Sequence, residues 1–482
     1  MVEKEGLDSL LMDITETARV ISDYVEAGKT ICIESHLDAD GLAAAGIMGV
    51  ALKRLGARFY IRIERWLDGD IIKSALSGRA DLVIFTDMGS GYLDLFRESV
   101  EKADASVMVL DHHQPVGEAP KGMIHINPHL HGIDGSRDLS GSGIAYLVAK
   151  GLSGDNRDLA YLGVVGSLGD IQDKYENHRL GGVNEIIVRD AVESGYLKTE
   201  IDLLLFGRET RPIHKALAYT ANPFIPGISG REDESLALLT SLGIKLKEGE
   251  RWRALRDLSM EEKRKLSSAL AERLTSMGFK GEVAMNLLGT IYILTKEEPW
   301  TPLRDAREFA LLLNATGRMD KPGVGVAICM GDRGRSLEEA NKVLEDYRST
   351  IMKYLNWLNE NPEYIEELEN IYVLHGENII DEKVISTIST ILSSNLPKPE
   401  KPVIAYATIP DEGAIKISAR MVDTLTEKGL NLGEILRVAA ERCSGIGGGH
   451  DVAAGAQVPY DMKDHFIRYV DRLVGERLSR GG

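Results

Sequence analysis

Two adjacent histidines behind an aspartate, Asp111-His112-His113, close the apolar run Ser106–Leu110. A run of that length and composition reads as a buried strand, so three metal-competent side chains stand at its tip. A second group, His36, Asp38 and Asp40, follows the apolar run Thr30–Ser35. Alternate residues of an extended tip can point into one crevice, and His-x-Asp-x-Asp offers an imidazole and two carboxylates there. Asp87 ends a third apolar run, DLVIFTD, and Asp170 follows the helical pattern Leu159–Gly169. Carboxylates crowded in this way repel unless cations neutralise them. Four aspartates with two or three histidines suit a pair of divalent ions, and the oxygen-rich mixture favours manganese or magnesium over a structural zinc. Two such ions roughly 3.5–4 Å apart suit phosphoryl hydrolysis, activating a shared water and stabilising the leaving oxygen. Each cluster also has a plainer reading. Asp38 and Asp40 can be helix caps, Asp87 can anchor a turn, and the histidine pair can be surface residues before Pro115. Asp170 can be a solvated helix end, with Asp173 competing for its role.

The elements that must position these side chains alternate. Helical patterns over residues 1–29, Leu42–Leu55, Ser140–Ser153 and Leu159–Gly169 surround the strands Thr30–Ser35, Ala57–Ile63, Asp81–Asp87, Ser106–His112 and Met123–Asn127. Strands alternating with helices predict a parallel sheet covered on both faces. Such sheets build their sites at the carboxyl ends of the strands. Residues 181–332 read as mostly helical, with Arg208–Gly230 irregular and rich in Pro and Gly. There Asp305 is placed to cap the helix Ala306–Thr316, which leads through Gly317-Arg318 to a glycine-spaced strand, Gly323–Cys329. A long helix, Leu337–Asn361, connects to a second α/β unit. Its strands are Asn370–Leu374, Pro402–Thr408, Gly413–Ala419 and Val452–Val458, with a helix over Leu432–Arg442 and the glycine loop Ser444–His450. The domains are therefore drawn at 1–195, 196–335 and 336–482.

A chain of 482 residues is too long for one core. With 57 basic against 74 acidic residues the net charge is −17, which excludes nucleic-acid binding by bulk electrostatics but not by a local groove or bound cations. No apolar run approaches a membrane span and no leader pattern precedes the first helix, so a cytoplasmic protein is expected. The three cysteines, Cys32, Cys329 and Cys443, suggest neither a disulfide framework nor a thiolate zinc site, and Cys32 and Cys329 are expected in the core. Trp66, Trp252, Trp300 and Trp357 can stack bases, but packing in a core or interface is expected for each.

In the last third, Gly445, Gly447, Gly448 and Gly449 leave backbone amides unshielded, so the loop can form an anion nest beside His450. Arg420 ends the strand IKISAR and can grip a phosphate bidentately. A glycine-rich turn before a strand is, by itself, usually only a turn.

Taken together, His36-Leu-Asp38-Ala-Asp40-Gly41, Asp87, Asp111-His112-His113 and Ser167-Leu-Gly-Asp170 resemble the four motifs of the DHH phosphoesterase family. Gly447-Gly-Gly-His450 resembles the signature of the DHH-associated domain. Within the family the layout is most similar to RecJ-type single-strand exonucleases, in particular the archaeal RecJ-like proteins known as GINS-associated nucleases. The motifs cover roughly the first 190 and last 150 residues. Arg318 in LLNATGR and the stretch Arg208–Phe224 also look like archaeal RecJ-like sequence, without an assigned role.

The resemblance implies an N-terminal parallel-sheet DHH domain, a mostly helical middle insertion and a C-terminal α/β domain, with the active-site cleft between the two α/β domains. It implies that His36, Asp38 and Asp87 hold one ion, and that Asp40, Asp87, His112 and Asp170 hold the other. His113 then contacts the scissile phosphate and Asp111 orients a histidine. Arg420 and His450, with Ser418 and Ser444 assisting, bind the backbone or terminus of the strand. The implied activity is a manganese- or magnesium-dependent exonuclease of single-stranded nucleic acid in replication or repair, expected to run 5′ to 3′ on DNA, with RNA as the other substrate. The middle region is implied to contact the GINS complex. The alternatives are a replisome scaffold with secondary nuclease activity and a DHH phosphodiesterase of dinucleotides or other short oligonucleotides.

Overall fold

The computed structural model describes residues 4–220, 225–277, 285–393, 396, 400–410 and 412–481. The chain opens with α1 (Lys4–Glu26), β1 (Thr30–His36), α2 (Ala39–Arg54), β2 (Arg58–Glu64), α3 (Gly69–Leu76) and β3 (Leu82–Thr86). It continues with α4 (Leu93–Lys102), β4 (Ser106–Leu110), β5 (Ile124–Ile126), α5 (Gly141–Leu152), α6 (Ala160–Gly169) and α7 (Asn184–Glu193). The five strands form one parallel sheet in the order β2-β1-β3-β4-β5. Its middle strands are apolar almost throughout because both faces are covered. On one face Cys32, Val83, Phe85, Val107 and Val109 pack with Ile72, Ala75 and Leu76 of α3 and Leu93 and Phe96 of α4. The opposite face carries α2, whose run of small residues lets α5 and α6 approach closely. The chain leaves β1 toward β2 and returns on the other side as β3. The strand order therefore reverses between β1 and β3, and at such a switch point the connecting loops diverge and leave a crevice.

The regular structure of the region after α7 is mostly helical, as expected, and two strand pairs are added to it. β6 (Leu197–Leu203) pairs antiparallel with β9 (Leu288–Leu294), and a short hairpin joins β7 (Lys247–Glu248) to β8 (Arg251–Trp252). Between them lie α8 (Ile213–Ala218), α9 (Glu232–Ser241) and α10 (Met260–Ser276), which share a buried core with Leu203, Ile225 and Leu287. Thus α8 gives part of the expected irregular stretch regular structure; residues 221–224 of it, including Phe224, lie outside the described residues. Two of the tryptophans, expected to pack in a core or an interface, do not lie in a core: Trp252 is 40% and Trp300 50% exposed. Each is covered instead by cations. Lys247 lies over Trp252, while Arg251 and Arg256 both lie over Trp300.

Asp305 caps α11 (Ala306–Arg318), accepting the amides of Arg307 and Glu308. The glycine-spaced strand expected next is a helix, α12 (Pro322–Cys329). Proline at its first position is pre-set for a helix, and Gly325 lets it pack within reach of Thr316 and Leu42. The long α13 (Arg335–Glu360) follows, and the chain divides within it into two compact units, residues 1–341 and 342–482.

The second unit contains β10 (Ile365–Glu367), β11 (Tyr372–Glu377), α14 (Ile385–Ser393), β12 (Val403–Ile409) and β13 (Ala414–Arg420). It ends with α15 (Leu432–Arg442), β14 (Ile446–Gly449), β15 (Ala453–Pro459) and α16 (Lys463–Gly481). Its mixed sheet runs β10-β11-β12-β13-β15-β14 over its own apolar core. The glycines read as a loop form the edge strand β14, paired with β15 from Ile446↔Gln457 to Gly449↔Ala454. The reason is packing under α15. A Cβ on Gly447 would lie 2.7 Å from the Leu436 carbonyl, and one on Gly433 would lie 2.3 Å from the Gly449 carbonyl. Among the described residues no helix is long and apolar enough to cross a membrane.

Candidate metal centre

β1, β3 and β4 end side by side, so His36, the last residue of β1, and Asp87 and Asp111, the residues just past β3 and β4, emerge on one sheet edge. Asp38 serves as N-cap of α2, its Oδ1 accepting the Gly41 amide at 3.0 Å, while its Oδ2 lies 3.0 Å from His36 Nδ1. One carboxylate thus caps α2 with one oxygen and meets His36 with the other. Asp40, in the first turn of α2, is fully buried and accepts the Gly141 and Ser142 amides at 2.6 and 3.1 Å. These open α5, and a helix N-terminus favours negative charge.

Asp87 holds the centre. Its φ of +58° is left-handed, a conformation that costs a non-glycine residue of order 1–3 kcal/mol and persists only where surroundings enforce it. The turn brings Oδ2 within 3.6 Å of His36 Nδ1 and Oδ1 within 3.2 Å of His112 Nε2. His112 Nε2 also lies 3.1 Å from Asp170 and 3.7 Å from Asp40. Two groups result, His36–Asp38–Asp87 and Asp40–Asp87–His112–Asp170, and in each the ligand atoms lie within 4.8 Å of one another. Asp87 belongs to both. The imidazole of His112 is oriented by Nδ1, which donates to the Gly135 carbonyl at 2.6 Å and leaves Nε2 directed at the carboxylates.

Burial disfavours every charge here, and the groups compensate pairwise. For His36 and His112 burial works against the proton, but Asp38 and Asp87 beside the first, and Asp170 and Asp87 beside the second, hold both pKa values well above the ordinary imidazole range. Burial raises Asp40 strongly, reinforced by Asp87 and Asp170, and burial also raises Asp170. Asp38 is only half-buried, and although its partial burial works the other way, His36 keeps it below the usual carboxylate range.

The donor set fits divalent metal. Asp87 is 2% exposed, and neither of its carboxylate oxygens makes a hydrogen bond, a cost that burial imposes and that a bound divalent cation would remove. The space is kept by glycine: a Cβ on Gly141 would lie 2.8 Å from Asp87 Oδ1 and 3.0 Å from Asp40 Oδ2.

Asp111 is fully buried and belongs to the surrounding layer. One oxygen accepts the amides of His112 and His113 and contacts His113 Nδ1 at 2.8 Å, and the other accepts the Ser90 amide at 2.7 Å. Its neighbours hold it below the usual carboxylate range against the effect of burial. The geometry also separates two competing aspartates: Asp170 joins the cluster, while Asp173 is bound by Arg307 at 2.6 Å.

In the second unit Ser418 is 2% exposed and its hydroxyl meets Ser389 at 2.9 Å, so it serves the packing of α14 rather than a surface. Arg420 is half-buried, donating to Thr390 Oγ1 at 3.0 Å and to the Ala419 carbonyl at 2.8 Å. Gly447, Gly448 and Gly449 spend part of their backbone on the β14–β15 ladder, and His450 follows at its end, its amide donating to Ala453. The expected nest is thus an edge strand.

Several supporting residues escaped the sequence reading. Asn127 donates to Ser90 Oγ and to the His113 carbonyl, both at 2.8 Å. Gln172 reaches the Gly135 carbonyl, and Asn314 accepts the Ala39 amide. Only Asn127, isolated in the apolar stretch IHINPH, carried a local signal.

The parallel sheet and the carboxylate–histidine centre at its edge define a metal-dependent hydrolase. The chain belongs to the DHH family: residues 30–166 match the DHH family N-terminal domain, 205–288 the DHH-CID domain and 369–476 the DHHA1 domain. It is 34% identical over 457 residues to an uncharacterized protein of Methanocaldococcus jannaschii, covering 93% of this chain and 94% of that one. RecJ of Thermus thermophilus, a single-stranded-DNA-specific exonuclease, is 27% identical over 255 residues, which is 49% of this chain and 37% of that protein. Its structure with Mn2+ superposes with a TM-score of 0.58 at 19% identity, over 96% of this chain and 55% of that one. The fold is also similar to CDC45 from Entamoeba histolytica, with a TM-score of 0.64 at 12% identity over 96% and 99% of the two chains.

Proposed function

We propose that the protein is a two-metal exonuclease of single-stranded nucleic acid, running 5′ to 3′ on DNA. The observation that carries this reading is the pair of ligand groups that share Asp87. His36, Asp38 and Asp87 would hold one ion, and Asp40, Asp87, His112 and Asp170 the other; manganese suits this mixture of imidazole and carboxylate best. When bound, such ions supply a water of lowered pKa and positive charge for the phosphodiester oxygens. The chain's own residues do the rest. Asp111 holds the His113 ring so that its far edge can donate to the scissile phosphate, and the Asn127 amide fixes the His113 backbone. Arg420 and His450 hold the strand through its backbone or terminus. Support for DNA as substrate is the RecJ relationship. The cellular setting proposed is replication or repair, in the cytoplasm on the nucleoid.

The test is degradation of DNA and RNA strands labelled at either end, with Mn2+, by wild type and Asp87→Asn. Metal-dependent trimming of DNA from the 5′ end, lost in the variant, is expected. Wild type and variant equally inert on strands of every length, with bound metal verified, would sink the nuclease reading. Turnover of dinucleotides alone would move the protein to the short-substrate class. The similarity in fold to CDC45 favours a second reading, a scaffold that binds the GINS complex through the middle region. Deleting residues 230–330 without loss of GINS co-purification would remove it.

A further inference from the structure

Asn314 sits in the interior of α11, where asparagine is intrinsically disfavoured. Its neighbours Leu312, Leu313 and Ala315 are buried. The Asn314 side-chain oxygen accepts the backbone amide of Ala39 at 3.1 Å. That amide lies between Asp38 and Asp40, at the start of α2, where the first amides have no acceptor within their own helix. Asp38 takes the amide of Gly41, and Asn314 takes that of Ala39.

One turn further along the same face, Gly317 meets the same loop. A Cβ there would lie 1.7 Å from the Leu37 carbonyl, so the helix backbone itself rests against Leu37. The other end of α11 is anchored separately. Arg307 reaches Asp173 at 2.6 Å, three residues beyond Asp170, and Glu308 accepts the Glu209 amide at 2.6 Å and the Thr210 hydroxyl at 2.5 Å. The helix is thus fixed at both ends, and Asn314 is its polar contact with the backbone between the two carboxylates.

We propose that Asn314 is a positioning residue for the hydrolase reaction. By holding the Ala39 amide it sets the backbone between Asp38 and Asp40, so that Asp38 faces His36 and Asp87 while Asp40 faces Asp87, His112 and Asp170. This rests on the metal-ligand reading proposed above. The two carboxylates belong to different ligand groups, so freeing the one amide between them disturbs both groups together. A contact that merely capped α2 would affect stability and leave metal binding alone.

The experiment uses the full chain. Free Mn2+ is followed by electron paramagnetic resonance during titration of wild type, Asn314→Leu, which keeps the size and removes the acceptor, and Asn314→Asp, which keeps an acceptor oxygen. Asn314→Leu is expected to weaken Mn2+ binding or lower kcat roughly 10–100-fold, the usual cost of losing a residue that orients a ligand. KM for a single strand should stay near the wild-type value, and the thermal midpoint in EDTA should fall by no more than about 4 °C, as for loss of one cap-type hydrogen bond. Asn314→Asp is expected to recover most of the Mn2+ binding. If Asn314→Leu does not fold, Asn314→Ser, whose hydroxyl is too short to reach, is measured on the same terms. An acceptor-less variant with the wild-type isotherm and kcat overturns the proposal, whatever its midpoint. Wild type that takes up no Mn2+ overturns the metal reading itself and this inference with it.

Discussion

A left-handed aspartate whose carboxylate lacks hydrogen bonds in a buried site would be a defect in an ordinary core. At Asp87 both costs are explained if the side chain bridges two ligand groups. The same crowding makes Gly141 indispensable. Gly141→Ala should fold well, since alanine is the better helix former, but its Cβ would push against Asp87 and Asp40. Displacing groups by about 1 Å at a reacting centre costs on the order of 100-fold in rate. Activity down by that order with an unchanged thermal midpoint is the expected result; full activity would show that the carboxylates need not stay where they are. The pH dependence has a definite sign. His36, His112, Asp40 and Asp170 all have raised pKa values without metal, so binding a cation must expel protons. Mn2+ affinity should therefore rise with pH, and calorimetry in two buffers of different ionisation enthalpy should register net proton release. A pH-independent affinity would contradict the assignment of these four ligands. The six candidate ligands were legible because each stands at the end of an apolar run or a helix. Asn127, Ser90, Gln172 and Asn314 were not, because chemically ordinary residues acquire their roles only where remote loops meet.

Whole elements were legible where a local period determined them. The five parallel strands and the helices beside the site follow from apolar runs and 3.6-residue spacing. The ribbon β6–β9 was hidden because its partners are separated by more than eighty residues, and no local window contains the pairing. α12 was misread for a related reason: PGVGVAIC has β-branched and glycine residues, yet its place is decided by contact with α2. A Cβ on Gly46 of α2 would lie 2.3 Å from the Cys329 Cβ. Gly46→Val should therefore force α12 off α2. Overpacking of this kind costs typically 1–3 kcal/mol, and here the value should fall at or above the top of that range. Urea unfolding of the metal-free protein would measure it, and a loss below about 1 kcal/mol would mean that α12 can shift without penalty.

At the scale of the whole chain, a net charge of −17 has to be reconciled with the polyanionic substrate proposed above. Bulk attraction is unavailable, so the strand must be held by a few local cations together with the metal centre. The number of such contacts can be counted, because each phosphate neutralised on a single strand contributes about 0.7 to the slope of log K against log salt. In EDTA only the chain's own cations contribute. The slope should then be shallow, no steeper than about −3, corresponding to roughly four contacts. Arg420 is the candidate among them that the sequence singles out. Its bonds to Thr390 and Ala419 orient the guanidinium, as a pre-organised phosphate donor requires. Arg420→Ala should weaken binding of a single strand and make the slope shallower by about 0.7, the loss of one phosphate. Weaker binding with an unchanged slope would assign Arg420 to holding β13 against α14 instead. In that case the strand-gripping role would pass to His450 and the edge strand before it.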